Sequence, residues 1–374
     1  MHLFKRISCL LSSSLTVMND CARKPLYAML IEIIKLWFRD GARPAHYFSY
    51  PLYRRDSPAN IYAYVGGKNI GQVYDRINDP LWTSVLNNKI SFDLFFRQMD
   101  IRLARQVGFN IRNQFFIGDD VIRVSDRQQL LTVLKLLVSN SSVASIFGKP
   151  TGGMQGRGCF KFDLPNISEL LAKRGSELPK GDYVYQEVID QHPKMAELHS
   201  SSVNTLRIDT YRTDEGEVGV MSAFARMGAG KSCIDNASAG GCFVGVNLEQ
   251  GTLMRRGYTM PKYGFSNLER HPDTGVVFDG FVIPFFQEAI MVAKRAAKMI
   301  PVSAVGWDIA ISRDGPILIE GNAPYHAGLS EMVYGGYWRN PVFRRLIADH
   351  APEMISIGRH FDETDLGVFG KLKM

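Results

Sequence analysis

The stretch from residue 305 to residue 326, VGWDIAISRDGPILIEGNAPYH, places three oxygen-bearing side chains in or beside two apolar runs. Asp308 lies in the first run, Glu320 ends the second, and Asn322 follows two residues later. The alternation of apolar residues predicts two β-strands, 305–311 and 316–322, joined by a turn. The register of this hairpin decides whether the three side chains can act together.

Two registers fit the turn at 312–315. A two-residue loop points the two acids to opposite faces of the sheet. A three-residue loop, with Gly315 at positive φ in a G1 bulge, places Asp308 opposite Glu320 with Asn322 on the same face. In that register the carboxylates repel each other, and a hard cation such as Mg²⁺ would offset the repulsion. The alternative is a surface hairpin with solvated acids.

The composition describes an ordinary globular chain with a basic surplus. Its 374 residues leave room for two or three domains, and 45% hydrophobic with 22% charged residues is typical of soluble proteins. The net charge of +7 indicates anionic partners such as nucleotides, phosphorylated sugars or a lipid surface. We expect no nucleic acid among them. Five cysteines without a CxxC pair or zinc spacing favour a reducing compartment, which predicts a cytoplasmic protein.

The N-terminal region predicts helices. The opening MHLFKRISCLLSSSLTVM only faintly resembles a signal peptide, because three serines dilute its apolar stretch, and we predict a helix there. A second helix over 23–39 is too short and too charged to span a bilayer. Its apolar face carries Leu26, Leu30, Ile33, Ile34 and Trp37. This face is expected to pack against the body of the protein; peripheral docking on the inner surface of a membrane is the alternative.

The remaining chain divides into three predicted parts after an N-terminal helical segment at 1–60. They are an α/β domain at 61–145, a small lid subdomain at 146–190 and a large subdomain at 191–374. A capping box at 125–128 predicts a helix to about residue 138, and Pro284 and Pro301 bracket a second helix. Four further strands are predicted at 183–189, 203–212, 217–226 and 242–249.

Two glycine-rich stretches compete as phosphate-binding loops. The GAGKS sequence at 228–232 does not complete a Walker A motif, because Ala225 replaces its first glycine and no helix is predicted to follow. The stretch FGKPTGGMQGRGCFKF at 147–162 places Lys149 at the end of a strand, before a loop of four glycines and Arg157. Such a hairpin loop can close over phosphate oxygens. The alternative is a flexible hairpin tip.

Two arginines are predicted to share one sheet face. A turn at 213–216 that pairs Arg212 with Glu217 carries Arg207 and Arg226 onto the same face. They can bind a polyphosphate or an acyl phosphate, or form structural ion pairs with Asp209. His192, His199 and His326 lack metal-ligand spacing and are expected to be structural.

Taken together, these motifs resemble the ATP-grasp superfamily. The resemblance rests on the order of four motifs along the chain: the lysine and glycine loop, YVYQEVI, SVNTLRI and GWDIAISRDGPILIEGN. VNTLRI, DNASAGG and IEGNAP are similar to the sugar-transfer-associated ATP-grasp family. The resemblance covers roughly residues 60 to 335.

The resemblance implies an α+β fold in which two α+β subdomains clasp ATP, after an N-terminal helical and α/β region. It implies ATP and Mg²⁺ as cofactors. The phosphate-binding residues would be Lys89, Lys149, Gly152, Gly153 and Gly156. Adenine would contact Glu187, Val188 and Ile189, and the ribose Asp190. Asp308, Glu320 and Asn322 would hold the metal, and Arg207 and Arg226 would stabilise the transferring phosphoryl group.

The implied activity is an ADP-forming ligase that joins a small carboxylate to an amine or hydroxyl through an acyl phosphate, on a cell-surface glycan precursor. A phosphotransferase acting on a sugar or related acceptor is the alternative. A non-catalytic binding protein is a third, against which the intact lysines and metal-ligand residues argue.

Overall fold

The computed structural model of the chain describes residues 17–40, 44–57, 60–153, 156–230, 235, 237, 240–260, 263, 267–354, 367 and 369. Two predicted features, most of the helix in the opening 18 residues and Lys231 of the GAGKS stretch, lie outside the described residues. The described chain is an α+β protein built on two antiparallel sheets.

The helices flank the two sheets. They are α1 (Leu26–Asp40), α2 (His46–Ser49), α3 (Gly67–Ile77), α4 (Pro80–Asn87), α5 (Lys89–Gln98), α6 (Arg127–Ser139), α7 (Ile167–Arg174), α8 (Pro193–Ala196), α9 (Phe286–Met299), α10 (Gly328–Tyr334) and α11 (Pro341–His350). None of the helices in the described part of the chain is long and apolar enough to cross a bilayer.

The first sheet has six strands in the order β3-β2-β1-β6-β4-β5. They are β1 (Gln106–Ile111), β2 (Gln114–Ile117), β3 (Asp120–Arg123), β4 (Ser145–Pro150), β5 (Phe160–Asp163) and β6 (Asp182–Glu187). α6 and α7 pack against this sheet and bury Leu134 and Leu171 in a core with Phe115 and Phe162. This core is separate from those of the rest of the chain.

Strands on both sides of residue 145 belong to this one sheet. β1 pairs with β6, so residues 106–111 lie beside residues 182–187. The predicted boundary between 61–145 and 146–190 therefore runs through the sheet. We propose instead that residues 106–187 form one subdomain and that the large subdomain follows from about residue 191.

The second sheet has seven strands in the order β11-β10-β9-β8-β7-β12-β13. They are β7 (Thr205–Arg212), β8 (Val218–Met227), β9 (Cys242–Asn247), β10 (Thr252–Thr259), β11 (Asn267–Leu268), β12 (Ala304–Ser312) and β13 (Gly315–Asn322). α9 lies against it through small buried residues such as Ala289, Ala293 and Ala296, which let the helix approach the sheet closely. Trp307 is buried in the core between them.

The predicted helix at 125–138 begins one residue later than its capping box suggested. Asp126, not Ser125, is the N-cap of α6, and its carboxylate accepts a hydrogen bond from the Gln129 backbone N–H at 2.8 Å. Gln129 Oε1 accepts in return from the Ser125 N–H. The capping box is therefore present, shifted by one position.

The β12–β13 hairpin places Asp308 opposite Glu320 and Gly306 opposite Asn322, as the three-residue loop predicted. The loop itself was predicted wrongly. Ser312 pairs with Gly315, so the loop has only two residues.

A bulge inside the hairpin restores the alignment of the acids. The ladder runs without interruption from the turn to the pair Ile309–Leu318, then shifts by one residue and leaves Ile319 without a partner in the ladder. Without this shift Asp308 would lie opposite Ile319. Gly315 takes a positive φ of 116°, as predicted.

The second sheet also brings the two arginines to one face. The predicted turn pairing is wrong by one residue, because Arg212 lies opposite Val218. A later shift in the same ladder places Arg226 opposite Thr205, two residues from Arg207. Residues two apart on a strand share a face, so the prediction of a common face is confirmed.

The apolar face of α1 points away from the body of the protein. Of the five residues of the predicted face, Leu26, Leu30, Ile34 and Trp37 are exposed, and Ile33 alone packs partly buried against a core. The expectation that this face packs inward is therefore wrong.

Candidate active site

A cleft of about 430 Å³ lies between the two sheets. The first sheet and its glycine loop line it with Phe147, Lys149, Gly153, Gly156, Arg157 and Cys159, and the second sheet with Thr205, Arg207, Arg226, Asp308, Glu320 and Asn322. Lys89 at the start of α5 also lines the cleft. Cationic and anionic side chains thus face one enclosed space.

Lys89 connects the glycine loop with the acid pair. Asn88 caps α5 by accepting hydrogen bonds from the backbone N–H groups of Ile90 and Ser91, which fixes where the helix begins. The Lys89 ammonium donates to the Gly153 carbonyl at 3.2 Å and lies 3.9 Å from Glu320 Oε2. Its ammonium therefore lies between the glycine loop of the first sheet and the acid pair of the second.

Lys149 reaches the cleft from β4. Its ammonium lies 5.6 Å from the centre of the Phe147 ring. Burial lowers the pKa of Lys149, and the negative charge of Glu320 partly opposes that effect. A desolvated ammonium gains stability when an anion binds beside it, which suits a phosphate site.

The glycine loop needs glycine for its backbone conformation. Gly153 and Gly156 have φ of 119° and 67°, which disfavour other residues. A Cβ at Gly153 would meet nothing within 4 Å, so the loop leaves open space there. Gly152, predicted with them, is not among the lining residues, and residues 154 and 155 lie outside the described chain.

Asp308 is buried and held by both arginines. Arg207 Nε lies 2.6 Å from Asp308 Oδ1, and Arg226 Nη2 lies 3.0 Å from Oδ2. Burial would raise the pKa of Asp308, but the positive charges of Arg207 and then Arg226 hold that pKa below its ordinary value. Asp308 is therefore ionised.

Glu320 shows the opposite behaviour. Burial and the neighbouring Asp308 charge raise the pKa of Glu320, although Lys89 and Lys149 oppose this. Asn322 Nδ2 donates to Glu320 Oε1 at 3.3 Å and to Asp308 Oδ2 at 3.4 Å. Glu320 therefore binds a proton more tightly than an ordinary glutamate does, whereas Asp308 binds one less tightly than an ordinary aspartate.

These side chains fit a magnesium ion. Two carboxylates, with the Asn322 amide turned so that its oxygen faces them, would provide the hard oxygen ligands that Mg²⁺ prefers, and a bound cation would offset the repulsion between the two acids. The described residues contain no group of three or more His, Cys, Asp or Glu suited to a metal. The site would therefore take its remaining ligands from phosphate oxygens and water.

Arg207 pairs with Asp308 rather than with Asp209, the partner considered from the sequence. Asp209 is fully buried and accepts hydrogen bonds from Ser222 Oγ at 2.6 Å, Tyr337 OH at 3.2 Å and Ser330 Oγ. Three hydroxyl donors thus take the place of the arginine that was expected to pair with Asp209.

The strand predicted to bind adenine also lines the cleft through Gln186, Glu187, Val188 and Ile189. The Glu187 carboxylate points to protein groups, since it accepts from the Ser142 N–H at 2.6 Å and pairs with Arg105 at 2.8 Å.

Asp190 lies outside the cleft lining. Its carboxylate is 2.6 Å from Arg313 Nε. The structure therefore does not bring the predicted ribose residue together with the others.

Three further polar residues of the cleft, Thr205, Asp235 and His326, were not predicted as site residues. Arg226 donates to Thr205 Oγ1 at 2.8 Å and lies 3.6 Å from Asp235 Oδ2, and Thr205 bonds to Asp235. His326 lines the same cleft, and burial followed by the Arg207 charge lowers its pKa. The signal was available, because Thr205 and Asp235 lie in the family motifs and His326 follows GNAPY directly.

The other two histidines are structural, as expected. His192 Nδ1 accepts from the Lys194 N–H at the start of α8, and His199 bonds to Ser202.

The family comparison decides the identity of this fold. A family model described as sugar-transfer associated ATP-grasp matches residues 71–341. The chain belongs to the sugar-transfer-associated ATP-grasp family. Its two antiparallel sheets, the helices that flank them and the cleft between them accordingly form an ATP-grasp fold.

Solved ATP-grasp structures are similar to the chain at low identity. D-alanyl-alanine synthetase A from Vibrio cholerae is 12% identical with a TM-score of 0.42, covering 73% of this chain and 67% of its own. Biotin carboxylase from Campylobacter jejuni is 11% identical with a TM-score of 0.42, covering 78% and 50%. The ATP-grasp ligase PsnB is 16% identical with a TM-score of 0.39, covering 73% and 63%.

The chain thus spans about half to two thirds of the length of these proteins. A comparison with curated protein sequences found no match.

Proposed function

We propose that this ATP-grasp protein is an ATP- and Mg²⁺-dependent, ADP-forming ligase. It would join a small carboxylate to an amine or hydroxyl through an acyl phosphate. The family's association with sugar transfer supports an acceptor on a cell-surface glycan precursor. The dependence on ATP supports a reaction in the cytoplasm.

One observation carries the proposal: the cleft sets a lysine and glycine wall against an acid pair. Lys89 and Lys149 would neutralise phosphate oxygens, while Asp308, Glu320 and Asn322 would hold Mg²⁺. A metal triphosphate needs both walls at once. A simple anion site would not need a buried pair of carboxylates.

The remaining roles follow from position. Gly153 and Gly156 would let the loop backbone approach the phosphates, and Gly152 would assist from the loop's base. The backbone of Glu187, Val188 and Ile189 would border adenine. Asp190 reaches the ribose only if its pair with Arg313 opens.

The proposed reaction has two steps. A carboxylate oxygen of the substrate attacks the γ-phosphorus, the bond from that phosphorus to the bridging oxygen breaks, and ADP leaves. The nucleophile then attacks the carbonyl carbon, the bond to the phosphate oxygen breaks, and phosphate leaves while the nucleophile gives up one proton. When bound, Mg²⁺ would neutralise charge on the phosphates.

Arg226 and Arg207 would stabilise the negative charge of the transferring group. Arg226 also contacts Thr205 and lies near Asp235, so these residues would border the acceptor. Asp235 and His326 are the side chains there that could receive the proton.

The test supplies Mg-ATP with pooled carboxylates and pooled amines and follows ADP and product mass. We expect an amide or ester. Once the carboxylate is known, labelling it with ¹⁸O should transfer one ¹⁸O atom to the released phosphate, because the attacking oxygen stays on phosphorus. A phosphorylated acceptor would instead establish the phosphotransferase. Nucleotide binding without turnover across the substrate pools would argue for a binding protein.

A further inference from the structure

Helix α1 presents its apolar side to solvent. Seven of its residues are large, apolar and exposed: Leu26, Tyr27, Leu30, Ile31, Ile34, Trp37 and Phe38. At about 100° per residue they fall within an arc of about 140°, which makes one continuous stripe along the helix. Phe38 is 88% exposed, Tyr27 71% and Trp37 60%. We call these seven residues the α1 stripe.

The polar side of α1 faces the protein and is held by specific contacts. Glu32 accepts from Lys24 Nζ at 2.8 Å and from Tyr47 OH at 2.6 Å. The Arg39 side chain is buried and donates to Asp40 at 2.6 Å and to the Tyr62 carbonyl at 3.1 Å. These ion pairs and hydrogen bonds fix the rotation of the helix about its axis, so the α1 stripe points to solvent.

This arrangement inverts the usual packing of an amphipathic helix. A helix on a globular protein normally buries its apolar stripe and exposes its charges. Here Met29 and Leu36 are buried and Ile33 is partly buried, while seven large apolar side chains are exposed. An exposed patch of this kind marks a surface that meets an apolar partner.

We propose that the α1 stripe docks the protein on the surface of an anionic lipid bilayer. Trp37 and Tyr27 have apolar rings with polar tips, which suit the interface between headgroups and acyl chains. Lys35 is the only exposed charged residue of α1 and lies at the edge of the stripe, where it would reach lipid phosphates. The net charge of +7 adds attraction to a negative membrane.

A second copy of the chain fits this surface less well. In a symmetric dimer each Lys35 would meet the same stripe on the partner, which offers no acidic residue to pair with it. Two molecules with a charge of +7 also repel each other.

Helix α1 and one residue of the cleft share a hydrophobic core. Met29 and Leu36, beneath the stripe, belong to the same hydrophobic core as Tyr325, which lines the cleft. Docking does not depend on the proposed ligase chemistry.

The test measures co-sedimentation of the full chain with vesicles of phosphatidylglycerol and phosphatidylethanolamine, and with phosphatidylcholine vesicles. We expect binding to the anionic vesicles that weakens in high salt. Trp37→Ser combined with Phe38→Ser should weaken it more than tenfold, and Lys35→Gln about fivefold. The control pair Val282→Ser with Met291→Ser removes apolar groups of similar exposure elsewhere and should leave binding unchanged.

A second readout locates the contact. Brominated lipids should quench the fluorescence of Trp37, and a Trp37→Phe variant should bind equally well but lose that quenching. Melting temperatures and ATP binding are measured on each variant, so loss of folding or of the nucleotide site is distinguished from loss of docking.

Three results would overturn the proposal. The first is wild-type protein that stays in the supernatant with anionic vesicles. The second is equal binding by the wild type and the Trp37/Phe38 variant, which would show charge attraction alone. The third is a dimer in sedimentation velocity that the same substitutions dissociate, which would assign the stripe to a second copy.

Discussion

Asp308 and Glu320 face each other across one hairpin, yet their surroundings shift their pKa values in opposite directions. Two arginines surround Asp308 and keep it ionised, whereas Glu320 has a single lysine contact at 3.9 Å. At the residue scale the site therefore consists of one neutralised acid and one acid that lacks a full countercharge. A cation bound beside Glu320 would therefore have the most favourable electrostatic interaction.

Replacing Glu320 by glutamine should change stability with pH. The pKa of Glu320 in the folded protein lies above its ordinary value of 4.5, so the unfolded chain loses this proton first as pH rises. Stability therefore falls from about pH 4.5 up to the folded pKa. Without metal, Glu320→Gln should melt higher than wild type at about pH 8, and the difference should close towards pH 4.5.

Calorimetry with a chelator present measures this difference. The exposed Glu169, paired with Lys173 in α7, provides a control through Glu169→Gln. Mg-ATP should raise the melting temperature of wild type beyond ATP alone, and that increment should vanish in Glu320→Gln. A variant that melts below wild type at the higher pH would contradict the repulsion between the acids.

Lys149→Ala should weaken ATP binding by about one to two decades, because a charge-assisted contact contributes about 1.5–3 kcal/mol. Lys161→Ala is the matched control, since Lys161 is exposed on the neighbouring strand β5. Calorimetric titration of nucleotide onto both variants decides the ranking. Equal affinities would remove Lys149 from the phosphate site.

At the element scale the hairpin depends on two local irregularities. The two-residue loop by itself would misalign the acids, and the bulge at Ile319 corrects the register by one position. Gly315 supports the turn with φ of 116°. Its position also leaves space, because the nearest atom to a Cβ added there would be Arg102 Nη1, at 4.0 Å.

Gly315→Ala should destabilise the protein by about 1–3 kcal/mol through backbone strain alone. Gly71→Ala is the matched control, because Gly71 lies in α3 at ordinary φ with nothing within 4 Å of an added Cβ. That change should stabilise by about 0.4–1 kcal/mol. Urea denaturation compares the two variants, and a neutral Gly315→Ala would show that the turn tolerates other residues.

At the scale of the whole molecule, the site exists only because two sheets with separate cores share a cleft. The first sheet supplies Lys149 and the glycine loop, the second supplies the acids and arginines, and Lys89 comes from α5. A ligand that touches both walls should therefore couple parts of the chain that do not share a sheet.

Mg²⁺ with a non-hydrolysable ATP analogue should slow hydrogen exchange in β4, β5 and the β12–β13 hairpin together. α1 lies outside the cleft lining and should exchange at an unchanged rate. Exchange measured by mass spectrometry on peptides from these elements tests this. Protection confined to one sheet would mean that the nucleotide does not bridge the cleft.

The sequence determined the features that short segments specify. The sequence predicted β6, β7, β8, β9, β12 and β13 with every end within two residues, and the prolines at 284 and 301 bracketed α9. The order of the motifs identified the family. These features follow from local periodicity and turn chemistry, which a segment carries within itself.

The tertiary structure decided where neighbouring segments meet. The bulge at Ile319 lies opposite β12, a strand that pairs with neighbours on both sides, and the ion pair of Arg207 with Asp308 depends on the β7–β12 register. The rotation of α1 depends on Tyr47 and Tyr62, which lie outside the helix. Its periodicity identified an apolar face, but contacts between distant residues determined that this face points outward.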